Sequence, residues 1–142
     1  MSGVQPPEGD LEFPLGPFPG LDAHIGLMID ELSPDRVIGH VDLGPQHHQP
    51  FGIVHGGVYC SIVETVGSMA GSLNTVDGKV VVGVNNNTHF LASMSEGRVV
   101  ATAIPISRGR TQQLWSVDIV RESDGRLVAT GQLRLQAVEP RR

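Results

Sequence analysis

The sequence predicts an α+β domain, in which one long helix lies against one face of a mostly antiparallel sheet. Three observations predict it. Residues 58–73 carry Val58, Ile62, Val66, Met69, Ala70 and Leu73 at helical spacing. β-branched runs follow at 79–84, 98–106, 113–121 and 126–138. Asp124-Gly125 joins the last two runs as a hairpin, because glycine takes the positive φ that a tight turn needs. One helix cannot cover both faces of such a sheet, so the far face must be polar or covered by a second copy.

The elements follow in order. Residues 1–20, with Pro6, Pro7, Pro14, Pro17 and Pro19 among glycines, read as a flexible arm. The remainder, 21–142, reads as a single domain, since 142 residues suffice for one core and not for two. Residues 21–30 carry a weak pattern, a short helix and the start of a strand. Residues 36–43 alternate apolar and polar and read as a strand. Pro45 and Pro50 keep 44–52 as loop. Gly67 and Gly71 lower the propensity of the central helix but allow another element to approach it closely. Asn74 and Gly78 bracket its end.

Composition narrows the function. A formal net charge of −5 argues against binding a nucleic-acid backbone, and 4% aromatic residues argue against base stacking. No apolar run approaches membrane-spanning length. The single cysteine, Cys60, excludes an internal disulfide, and no signal peptide is visible. A cytoplasmic protein with neither nucleic-acid nor membrane partners is expected.

The chemistry concentrates in Q-P-F-G-I-V-H-G-G-V-Y-C-S-I-V-E, residues 49–64. Gly56 and Gly57 immediately precede the predicted helix. The first N–H groups of a helix lack internal partners and sit at the positive end of its dipole, so a ligand oxygen could approach there. The alternative is a plain turn. Glu64 is the sole acidic residue between Leu43 and Val76, with no basic residue nearby. Such a carboxylate is either exposed on an amphipathic helix or retained for function. Ser68 lies one turn later on the same face. Gln49 and His55 could each donate to a carbonyl, or serve as loop and cap residues. Gly56 and Glu64 are eight residues apart, about 12 Å along a helix. Both can act on one carbonyl only if two antiparallel copies each lend one end. His47, His48 and His55 match no zinc spacing, so no metal is expected. Cys60 reads as a small buried hydrophobe rather than a nucleophile.

H-Q-P-F-G-I-V-H-G-G followed by E-T-V-G-S-M-A-G resembles the hotdog-fold thioesterases. The nearest group holds the 4-hydroxybenzoyl-CoA type with a helix glutamate. It also holds the enterobactin-proofreading and 1,4-dihydroxy-2-naphthoyl-CoA thioesterases and the PaaI-like branch. The likeness runs through V-V-G-V, S-E-G-R-V and R-G-R-T-Q-Q-L-W to the last strands. It implies a long helix wrapped by an antiparallel sheet, in homodimers that pair into homotetramers. It also implies an acyl-CoA substrate, with CoA as part of that substrate and no separate cofactor. Glu64 would be nucleophile or general base, Gly56 the oxyanion N–H, Gln49 its helper, His55 an orienting group, and Ser68 an assistant to Glu64. Glu64 and Ser68 would face the other three across a subunit interface. Ser107, Arg108, Gly109 and Arg110, together with Asn87 and Phe90, would contact CoA. Where aryl-CoA members often carry His and Arg, this chain has Phe90, Leu91 and Ala92. The acyl group is expected to be aryl or otherwise bulky. A non-catalytic acyl-CoA-binding module is the alternative; a hotdog dehydratase lacks its Asp/His pair.

Overall fold

The structure, a computed structural model, describes residues 15–141. The chain opens with α1 (Leu21–Ile25), β1 (Met28–Leu32) and β2 (Val37–Leu43). A 3-10 turn at Pro45–His47 leads through a loop into α2 (Gly56–Ser72). Then come β3 (Val80–Phe90), β4 (Gly97–Arg108), β5 (Gln112–Arg121) and β6 (Leu127–Val138). The six strands form one sheet in the order β1-β2-β4-β5-β6-β3, and all neighbours are antiparallel. The chain thus leaves β2, crosses the sheet along α2, and returns on the far edge as β3. This is the α+β arrangement expected, with one helix against one sheet.

Alternation decides which side of each strand meets the helix. Val37 and Val41, Val99, Ala101 and Ala103, Trp115, Val117 and Ile119, and Leu133 and Leu135 point inward and are buried. From the helix, Tyr59, Ile62, Val63, Val66 and Ala70 meet them. Gly67 and Gly71 let β6 come close. A Cβ on Gly67 would lie 2.8 Å from Leu133, and one on Gly71 would collide with Leu135. Buried Gln113 ties the layers together: it accepts from Trp115 Nε1–H at 2.7 Å and donates to the Gly71 carbonyl at 3.2 Å.

The outward side is largely polar. Thr130 donates to Asp118 at 2.7 Å, and the His40 ring lies 2.6 Å from Asp30. The two sheet edges differ. Leu15 exchanges backbone hydrogen bonds with Ile29 of β1, at 2.6 and 2.7 Å. Of the expected flexible arm, residues 15–20 are described, and Leu15 is held there by those two bonds; residues 1–14 lie outside the described residues. β3 pairs with β6 alone, so its other edge is open among the described residues, with Val84 53% exposed. No helix among the described residues is long and apolar enough to cross a membrane.

Candidate active site

The helix starts at Gly56, two residues earlier than its apolar spacing indicates, because His55 caps it. The His55 Nδ1 accepts from the Gly57 N–H at 2.8 Å. A Cβ on Gly57 would stand 2.8 Å from that nitrogen, so glycine there admits the cap. With Nδ1 accepting, a neutral His55 carries its proton on Nε2, an exposed donor. His47 braces the loop before the helix. Its Nδ1 accepts from Gly44 N–H at 3.0 Å, and its Nε2 meets the Ile25 carbonyl at 2.7 Å. His48 likewise holds the Ser95 carbonyl.

Gln49 and Gly56 share a pocket of about 320 Å³ with Tyr59, Phe90, Leu91 and Ala92. The Gln49 Oε1 accepts from the Phe51 N–H, which leaves its amide nitrogen free to donate elsewhere. Phe90 packs directly on Gly56, where a Cβ would lie 2.6 Å from the ring. The Tyr59 ring lies 6.2 Å from the Phe90 ring. Tyr59 is buried and its hydroxyl has no partner among the described residues. Burial pushes that phenol up against a weaker opposing pull from Arg121, so it stays protonated.

Glu64 lies elsewhere. It lines a second pocket, of about 430 Å³, with Leu21, Asp22, Cys60, Thr65 and Asn86. Thr65 donates to Asp22 at 2.7 Å, which fastens α1 to the central helix as one wall. Cys60, read from the sequence as a small buried hydrophobe, is only half-buried there. Gly56, Cys60, Glu64 and Ser68 recur every four residues and form one half-exposed stripe, away from the side that meets the core. Ser68 lies on that stripe, and its carbonyl accepts from Ser72 at 2.8 Å.

The remaining candidates occupy other places. Ser107 and Arg108 end β4, and Gly109 and Arg110 lie in the turn to β5, beside the C-terminal end of α2. Arg108 reaches Asp35 at 2.7 Å and the Pro34 carbonyl at 3.2 Å. Arg110, 78% exposed, reaches Asp77 at 3.1 Å. Asn87 lies on the outward side of β3, opposite Gln132. Its neighbour Asn86 faces inward and donates to Glu64 at 3.3 Å. Sequence reasoning missed Asn86. In the run Asn85-Asn86-Asn87 the facing residue depends on strand parity, and a bulge between Gly83 and Asn85 resets that parity.

Residues 51–128 match the family described as Thioesterase superfamily. A provisionally designated esterase of Mycobacterium tuberculosis is 47% identical over 138 residues, covering 95% of this chain and 98% of that protein. The crystal structure of a thioesterase from Haemophilus influenzae superposes with a TM-score of 0.77 at 37% identity, covering 82% of this chain and 81% of that one. The Pseudomonas aeruginosa thioesterase PA1618 gives a TM-score of 0.75 at 28% identity, covering 80% and 82%.

Proposed function

The chain belongs to the thioesterase superfamily and is a hydrolase with the hotdog fold, and from that premise we propose that it cleaves an acyl-CoA thioester to the free acid and coenzyme A. Glu64 is the reacting carboxylate, and the Gly56 N–H at the helix N-terminus is the oxyanion donor. Gln49, through its amide nitrogen, and His55, through Nε2–H, polarise and orient the thioester carbonyl. Ser68 assists on the Glu64 side.

One observation carries this reading: Glu64 and the Gln49–Gly56 end of the helix occupy two separate pockets. Eight residues of helix separate them by about 12 Å. A reacting carboxylate must come within about 3–4 Å of its target, directly or through water. A second copy with its helix antiparallel brings the Glu64 pocket of one subunit to the Gly56 pocket of the other. The half-exposed stripe from Gly56 to Ser68 and the open edge of β3 are the surfaces such a dimer would cover. Pairing of dimers into tetramers is part of the proposal.

Either of two steps fits the site. As base, Glu64 takes a proton from water, whose oxygen bonds to the thioester carbon. The carbonyl electrons move onto oxygen under the Gly56 N–H. The C–S bond then breaks, and the departing thiolate receives the proton. As nucleophile, a Glu64 oxygen bonds to the carbon and expels the thiolate; water then cleaves the anhydride.

Arg108 and Arg110 are the candidate phosphate partners of CoA. Their exposed pairs with Asp35 and Asp77 are weak and exchangeable for a phosphate. They sit at the C-terminal end of the helix, which an antiparallel partner brings toward the other subunit's Gly56 pocket. Phe90 and Leu91 give that pocket an apolar wall, suited to an aryl or bulky acyl group.

The test is a panel of acyl- and aryl-CoA thioesters, followed by release of free thiol. Turnover of at least one member is expected. Glu64→Ala should lower it by about 10²–10⁴-fold. Binding without turnover, or an undiminished rate in Glu64→Ala, would sink this reading.

A further inference from the structure

Glu64 projects from its helix toward β3, and that strand meets it with two positions of different kinds. Asn86 donates its Nδ2–H to Glu64 Oε1 at 3.3 Å and to the Cys60 carbonyl at 2.9 Å. The Asn86 Oδ1 accepts from the Thr88 hydroxyl at 2.7 Å. Both ends of the amide are engaged, so its nitrogen is fixed toward the carboxylate. At Gly83 there is no side chain. A Cβ there would fall on Glu64 Oε2, closer than any real contact.

In an unbroken strand, residues three apart point to opposite faces. Gly83 and Asn86 both face the helix because the bulge between Gly83 and Asn85 inserts an extra residue. The irregularity thus sets a donor against one carboxylate oxygen and clearance beside the other.

We propose that Asn86, backed by Thr88, is the positioning residue for Glu64, and that Oε2, in the clearance left by Gly83, is the oxygen that reacts. The inference rests on the reading of Glu64 as the reacting carboxylate. In either of the two steps above, Oε2 receives the water proton or forms the bond to the acyl carbon, while Oε1 stays held.

Gly83→Ala is the sharpest test. Its new methyl meets the far end of a flexible side chain, so the carboxylate yields rather than the fold. The kcat should fall by about 10- to 100-fold, the scale of a misplaced reacting group, with KM and thermal midpoint nearly unchanged. Asn86→Ala should lower kcat to a similar degree, and Thr88→Val less. A double-mutant cycle separates positioning from general support. In Glu64→Asp, whose shorter side chain withdraws the carboxylate from Asn86, adding Asn86→Ala should change the rate by less than about twofold. A purely structural Asn86 would cost the same factor in both backgrounds. Should Asn86→Ala fail to fold, Gly83→Ala and Thr88→Val decide alone. Wild-type kcat in those variants beside an inactive Glu64→Ala overturns this inference and leaves the proposed function standing. A fully active Glu64→Ala overturns both.

Discussion

Gly56 is a glycine because of Phe90. Its backbone is ordinary helix, so no special φ demands it; the ring at 2.6 Å from its would-be Cβ does. Placing an alanine there must displace the ring from its seat on the helix N-terminus. Since that terminus is the proposed oxyanion site, Gly56→Ala should cut kcat/KM by about 10- to 10³-fold. Adding Phe90→Ala should recover part of the loss, because the methyl then has room. Steady-state rates on the best thioester of the panel check both, and absence of recovery would place the fault elsewhere than in the ring. The residues of this site were unevenly legible. Glu64 stood out by its isolation, and His55-Gly56-Gly57 by their place before an apolar run. Asn86 did not, because an asparagine gains meaning only from the face it takes, and a bulge sets that face.

The elements themselves were mostly readable, and their ends were decided by polar contacts. β3 continues to Phe90, well past the β-branched run at its start, because β6 pairs with it throughout. The β5–β6 hairpin was legible from Asp124-Gly125, and its chemistry yields a pH prediction. Asp124 accepts from Arg121 at 2.9 and 2.7 Å and from the Arg126 N–H at 3.1 Å, and Gly125 has φ 70°. Arg121 first, then the Arg126 backbone, hold the Asp124 carboxyl down at about 2, against an ordinary 3.8. A carboxyl lowered on folding contributes stability above its unfolded value and loses it as pH falls through the folded one. The thermal midpoint of Asp124→Asn should therefore sit slightly below wild type above about pH 5, with the gap closing toward about pH 2. The group is exposed, so the gap is small. A gap that stays constant between those pH values would contradict the assignment.

At the scale of the whole molecule, one chain presents two separate pockets, the proposed half-sites, and an edge of β3 that is open among the described residues. The proposed dimer joins the halves, and it can be tested without knowing the natural substrate. Glu64→Ala spoils one pocket and Gln49→Ala the other. If each working site takes Glu64 from one subunit and Gln49 from its neighbour, mixed dimers of the two variants regain about one intact site in two. Mixing after partial unfolding should then restore about a quarter of wild-type activity, since about half the dimers are mixed. No gain over the separate variants would argue that both residues act within one subunit, or not at all.

Local pattern was enough to set the architecture, because helical spacing, strand alternation and turn glycines depend on neighbours a few residues away. It was also enough to keep Gly56 and Glu64 apart within one helix, since the rise per residue is fixed. What each side chain faces came from the folded chain alone. Folding put Phe90 on Gly56, Gly83 and Asn86 on Glu64, Asp22 of a five-residue helix on Thr65, and Asn87 on the opposite side of its strand. Those pairings join residues from distant parts of the chain. Their register rests on bulges and packing that no local pattern records.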